Sequence, residues 1–204
     1  MPATMIHLYA GVTLLPAGSD SFLLGCILPD CLDCDRALKD RLHLRDVPAE
    51  ERLQRLVLLG KELDLDRDFD LGALFHLYLD YLWDNGPQSA HRRAYEGDDW
   101  FRDYRKELKM AGSRTAGRAP WNRDVWLRLA AATPEQYENS LGLPEEEIRT
   151  FLDFNSRWHT ETVLSESTFF TDEVVEGFVK RSNRAFREFL TNFFPQVAGK
   201  RNLA

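Results

Sequence analysis

The sequence predicts an all-α single domain, and three observations carry that prediction. Apolar residues recur at helical spacing in segment after segment, capping and breaking residues punctuate those segments, and no strand pair is discernible. The chain has 204 residues, 44% of them hydrophobic, which is enough for one full core and short for two. No internal repeat, low-complexity tract or long linker divides it, so residues 1–204 read as one helical domain.

Taken in order, Met5-Ile6-His7-Leu8-Tyr9 belongs to an apolar N-terminal helix. The apolar run from Phe22 to Leu28 ends at Pro29-Asp30, the usual form of a helix end with a turn or cap. Residues 49 to 63 place Leu53, Leu56, Val57, Gly60 and Leu63 at helical spacing, with charged residues elsewhere. Residues 68 to 83 form a far more apolar helix, expected to end at the Asn85-Gly86-Pro87 breaker. Residues 88 to 110 read as one long charged helix, and Gly112 to Pro120 as a flexible loop. Thr133-Pro134-Glu135-Gln136 and Leu143-Pro144-Glu145-Glu146 are helix starts, the first with a capping box. Thr171-Asp172-Glu173 opens the last long helix. Its stripe of Val174, Val175, Phe178, Ala185, Phe186, Phe189 and Leu190 runs until Pro195 stops it.

The formal charge is −7, so a polyanion meets a repulsive average field and general nucleic-acid binding is disfavoured. Bound cations would supply a local positive site on such a protein. No run of about 18 apolar residues predicts a transmembrane segment. Residues 1–15 lack a basic start and carry His7 and Tyr9 within their apolar stretch, unlike a signal peptide, so the expected location is the cytoplasm. Cys26, Cys31 and Cys34, odd in number and clustered, do not read as a secreted disulfide framework.

The most informative segment is Leu71 to Asp80. His76 and Asp80 stand four apart, on one face of a helix that is apolar all round, with Phe69, Gly72, Ala73 and Trp83 sharing that face. An ionised aspartate there needs compensation, because an unpaired buried charge is prohibitively costly. A metal ion provides it through imidazole and carboxylate ligands. The spacing alone equally permits an Asp–His hydrogen bond or a salt bridge elsewhere. His7, taken singly, reads as a core histidine. His43, in the charged stretch Lys39-Asp40-Arg41-Leu42-His43, reads as a surface residue. With Asp30, these two supply the extra donors that one or two ions would need.

In that order the residues resemble the zinc-dependent phospholipase C family, whose fold is similar to that of the single-strand-specific zinc nucleases. The resemblance rests on Ile6-His7, the FLLGxxxPD form of Phe22 to Asp30, Lys39-Asp40-x-x-His43, and His76-x-x-x-Asp80 followed by Trp83. It covers roughly the first 85 residues, and residues 86–204 would complete the helices. It implies that Asp30, His43, His76 and Asp80 surround one zinc, and that Asp80 also reaches a second zinc held with His7. Asp30 and Asp80 would then be the catalytic carboxylates. Such pairs of ions activate water and clamp a phosphoester for displacement at phosphorus. Secreted members have an N-terminal tryptophan whose amine is a ligand, whereas this sequence has Met1. They also carry two later histidines and a glutamate four residues after the second. Here His91 and His159 stand, but the residue four after His159 is Val163, which leaves a third zinc unsupplied.

The expected function is therefore a metal-dependent hydrolase of phosphoesters acting on a small substrate, in the manner of the small intracellular relatives. The alternatives are a helical protein with a structural or sensing metal, and a metal-free interaction domain. Mixed nitrogen and oxygen donors also suit manganese, iron or nickel, so zinc follows from the resemblance. Arg114 and Arg118 are candidate phosphate ligands on the predicted loop. Cys31-Leu32-Asp33-Cys34 offers a rival thiolate or redox site, but lacks both a second CxxC and a βαβ setting. No Gly-rich phosphate loop or GxSxG elbow is present. Substrate and oligomeric state are not encoded in any motif.

Overall fold

The computed structural model describes residues 2–32, 36–137 and 140–201, and among these every regular element is helical. The α-helices are α1 (Thr4–Leu14), α2 (Asp20–Ile27), α3 (Arg36–Leu42), α4 (Arg52–Glu62), α5 (Asp68–Trp83), α6 (Ser89–Ala94), α7 (Trp100–Arg118), α8 (Asn122–Ala130), α9 (Glu145–Glu161), α10 (Asp172–Phe193) and α11 (Pro195–Lys200). They surround one core, with α5 at its centre. Thirteen residues of α5 are buried, as its all-round apolar sequence requires. No helix among the described residues is long and apolar enough to cross a membrane.

Two glycines let α2 and α5 meet backbone to backbone. A Cβ at Gly25 would stand 2.1 Å from the carbonyl oxygen of Phe69, and one at Gly72 would stand 2.2 Å from that of Phe22. Only hydrogen at both Cα atoms permits this approach. The crossing brings the carbonyl of Cys26 within 2.8 Å of Nδ1 of His76. A 3-10 turn, Leu28–Cys31, follows α2 directly and carries Asp30 inward. Helix α1 packs on α2, α7 and α10, burying His7 completely.

Several boundaries differ from the sequence reading. Asn85-Gly86-Pro87 does not end a helix: a π-helical turn, Asp84–Gln88, links α5 to α6. Widening the turn moves the preceding carbonyls away from the proline ring, which removes the clash that breaks an α-helix. Ser89 Oγ donates to the Asp84 carbonyl there, at 2.7 Å. The long helix expected over 88–110 is two helices, because the chain leaves α6 at Tyr95 and restarts with the Asp99 carboxylate accepting from Arg102 N. The loop expected over Gly112–Pro120 is helical through Arg118. Its small residues serve packing: a Cβ at Gly112 would meet that of Ala3 at 3.0 Å, and Ser113 Oγ donates to the Thr162 carbonyl. Thr133–Gln136 forms its capping box but makes only a 3-10 turn, Pro134–Gln136. Helix α10 starts at its Thr171 cap as expected, and Pro195 opens α11 after α10 has ended.

Candidate metal centre

Five side chains from four segments converge below the surface. His7 comes from α1, Asp30 from the 3-10 turn, His43 from the residue after α3, and His76 and Asp80 from successive turns of α5. None is more than 9% exposed. His43, expected on the surface from its charged neighbours, is buried: Arg41 is exposed and Asp40 half-buried, while the chain turns in after α3 and buries His43 and Leu44.

Two main-chain hydrogen bonds set the histidine tautomers. His76 Nδ1 lies 2.8 Å from the Cys26 carbonyl, and His43 Nδ1 lies 2.8 Å from the Lys39 carbonyl. A carbonyl oxygen can only accept, so each Nδ1 donates and each neutral ring keeps its lone pair on Nε2. Those two Nε2 atoms face each other at 3.4 Å. His43 Nε2 is also 3.3 Å from Asp30 Oδ1 and 3.6 Å from Asp80 Oδ2. His76 Nε2 is 4.0 Å and 3.8 Å from the same two oxygens. Among the described residues the donor atoms fall into two groups that share His76: Asp30, His43 and His76 in one, and His7, His76 and Asp80 in the other, the atoms of each lying within 4.8 Å of one another. Ligands of a small ion on bonds of about 2.0–2.1 Å lie about 3.3–3.4 Å apart, so the His43–His76 and His43–Asp30 separations fit a bound cation.

The second oxygen of Asp80 points another way, with Oδ1 3.2 Å from Nε2 of His7. The His7 ring stacks on His76 at 3.8 Å between centroids, and neither of its nitrogens has a hydrogen-bond partner. Asp30 Oδ1 and both Asp80 oxygens are likewise buried without hydrogen-bonded partners. Buried acceptors left in this state cost about 1–3 kcal/mol each, more when charged, and a cation would satisfy them together. Burial, the largest influence on Asp30 and Asp80, pushes their pKa values up. The close approach of His43 to Asp30 and of His7 to Asp80, with His76 near both, outweighs it and holds both below the usual carboxylate range. Burial and the neighbouring His7 push His76 down to about 3, the neutral form that ligates.

The remaining candidates lie elsewhere. Arg114 and Arg118, expected on a loop, project from α7 and are already paired with carboxylates. Arg114 contacts Glu166 at 2.8 Å and Asp172 at 3.2 Å, while Arg118 contacts Asp172 at 2.6 Å and Glu176 at 2.9 Å. His91 faces Asp103 at 3.1 Å, and His159 stacks on Trp126. Val163 is 91% exposed and offers no ligand atom. Cys26 and Cys31 are buried, with burial pushing the Cys26 thiol well above its usual range, and Cys34 lies outside the described residues. Residues that sequence reasoning missed are the main-chain positions of Cys26 and Lys39, which orient the two histidines. A carbonyl leaves no side-chain signature, so only the fold could identify them.

No known protein family, curated protein or solved structure matches this chain.

Proposed function

We propose that this protein is a metal-dependent phosphoester hydrolase, most consistent with phosphodiester cleavage, working with one or two zinc-like ions. The observation that carries the proposal is the division of labour within Asp80. Its Oδ2 lies 3.6 Å from His43 Nε2 and 3.8 Å from His76 Nε2, beside the Asp30–His43–His76 group, while its Oδ1 turns to His7 in the His7–His76–Asp80 group. Each group offers three protein donors, and an ion held by three keeps the open position that a catalytic ion needs. Bound divalent ions supply Lewis acidity and lower the pKa of coordinated water.

The residues of the chain do the rest. Asp30 and Asp80 neutralise one divalent ion between them. A second ion would leave a net excess of two positive charges, which favours a phosphoester anion on a protein whose formal charge is −7. The Cys26 and Lys39 carbonyls keep His76 and His43 in the ligating tautomer. Phe69, Ala73 and Trp83, all buried, keep bulk water from that face of α5 and so strengthen its electrostatics.

A structural or sensing metal is the second reading. It is favoured by the burial of all five residues. One experiment separates the two. Protein loaded with zinc or manganese is assayed for metal per chain and for cleavage of bis-p-nitrophenyl phosphate and p-nitrophenyl phosphate, with a chelator control. Bound metal with chelator-sensitive hydrolysis supports the enzyme. Bound metal with no hydrolysis of either ester leaves the structural role, and a chain that binds no metal defeats both.

A further inference from the structure

His43 differs from the other four residues in what holds it. His7, His76 and Asp80 sit within α1 and α5, and Asp30 follows α2 without a break. His43 ends a short helix, and of the described side chains over residues 37–46 only those of His43 and Leu44 are buried. Leu38 and Leu42 are half-buried against the core, and the rest of the segment is dominated by Lys39, Asp40, Arg41, Arg45 and Asp46. A side-chain clasp ties it to the turn below, where Lys39 Nζ donates to the Asp30 carbonyl at 3.2 Å.

The end of this segment is strained. Arg45 N donates to the Asp40 carbonyl at 2.8 Å and Leu44 N to the Arg41 carbonyl at 3.0 Å, the pair of bonds that closes a Schellman motif. The motif puts Leu44 in the left-handed region, at φ 54°, a position usually held by glycine. Strain of this kind persists only where the surroundings over-determine it. Here the surroundings are the core, which takes in the Leu44 side chain, and the His43 contacts. His43 Nε2 faces the lone pair of His76 at 3.4 Å and carboxylate oxygens at 3.3 and 3.6 Å. With a cation between them these groups attract. With neutral rings and nothing between, the nitrogens repel and the deepest anchor of the segment is lost.

We propose that residues 36–46 form a strap that a divalent cation fastens over the cluster, so that metal occupancy controls access to it. This rests on the metal-holding part of the functional reading, though not on hydrolysis. Fastened, His43 completes the group it forms with Asp30 and His76, and the cluster is covered, as its burial records. Released, the strap uncovers Asp30 and His76 and gives ions and ligands a way in. The other side of the cluster, built from α1 and α5, stays in place in both states.

Trypsin reads this directly, because Lys39, Arg41 and Arg45 are cleavage points within the strap. The full chain is digested with zinc or with chelator, and strap cleavage is followed by mass spectrometry beside a measurement of zinc per chain. Where opening equilibrates before cleavage, zinc at about 100 times its dissociation constant should slow strap cleavage about 100-fold. His7→Ala, which leaves Asp30, His43 and His76 in place, should keep this protection. His43→Ala should lose it while circular dichroism still reports a folded helical protein. Zinc bound with no change in strap cleavage overturns the strap and leaves the metal site standing; so does full protection in His43→Ala. No zinc bound to the unsubstituted chain overturns both.

Discussion

Nε2 of His43 and Nε2 of His76 face each other at 3.4 Å, each with its Nδ1 committed to a main-chain carbonyl. Two lone pairs aimed at one point, with Asp30 and Asp80 beside them, describe a place prepared for positive charge. The fold supports this arrangement from outside, through the α2–α5 crossing and the end of α3.

Adding a divalent cation should therefore raise the thermal midpoint. At about 1,000 times its dissociation constant, a ligand specific to the folded state contributes about 4 kcal/mol. For a chain of this size that corresponds to roughly 8–16 °C. Calorimetry with zinc against chelator measures it, and a midpoint unmoved by saturating zinc would remove the case for a bound cation.

The glycine crossing gives a second expectation. Gly25→Ala and Gly72→Ala would each force a methyl group to within 2.2 Å of backbone oxygen, so α2 and α5 must separate. Overpacking of this kind costs about 1–3 kcal/mol or more, and separation also breaks the bond from His76 to the Cys26 carbonyl. Both variants should lose stability and bind metal more weakly. Gly86→Ala, which meets nothing within 4 Å, is the control and should change neither. If Gly25→Ala binds metal as tightly as the control, the crossing does not position His76.

The stability profile against pH follows from two buried imidazoles. Burial pushes His159 down to about 4, and burial with the nearby His7 pushes His76 down to about 3. Above the ordinary value of about 6.5 neither the folded nor the unfolded chain protonates them, and they leave stability unchanged. As pH falls below that, the unfolded chain takes up protons the folded chain refuses, so stability declines toward pH 4. Each group contributes a slope of up to about 1.4 kcal/mol per pH unit. Asp30 and Asp80, held below their ordinary values, add a further loss only below about pH 4. His159→Phe keeps a ring beside Trp126 and removes one titration. In chelator, its decline between pH 6.5 and 4 should be shallower by up to about 1.4 kcal/mol per unit. Equal slopes would show that His159 takes its proton in the folded state.

How much of this was legible beforehand depends on the range of each signal. His76 and Asp80 were legible because an i, i+4 pair inside an apolar helix is a local pattern, and α5 has the predicted ends of 68 and 83. The burial of His43 was not, since charged neighbours describe a helix face and not the direction of the chain after it. Gly112 and Gly117 suggested a loop, yet the helix persists because Gly112 fits against Ala3, a residue far off in sequence. Arg114 and Arg118 followed that error: their carboxylate partners are 52 residues or more away and could not be paired by inspection.

Asp80→Asn tests the bridging role most sharply. The substitution keeps the shape of the side chain while removing negative charge from a weakly screened site. In the unsubstituted protein Oδ2 lies beside His43 and His76 and Oδ1 beside His7, so the change should weaken both positions at once. His7→Ala removes a donor from the second position only, leaving Asp30, His43, His76 and Asp80 in place. Asp80→Asn should therefore lower total metal content and any hydrolysis more than His7→Ala, which should retain about one ion per chain at Asp30, His43 and His76. Inductively coupled plasma mass spectrometry of both variants beside the unsubstituted protein gives the numbers. If His7→Ala emerges empty while Asp80→Asn keeps a full complement, the carboxylate of Asp80 does not join the two positions, and the second site assigned to His7 has to be abandoned.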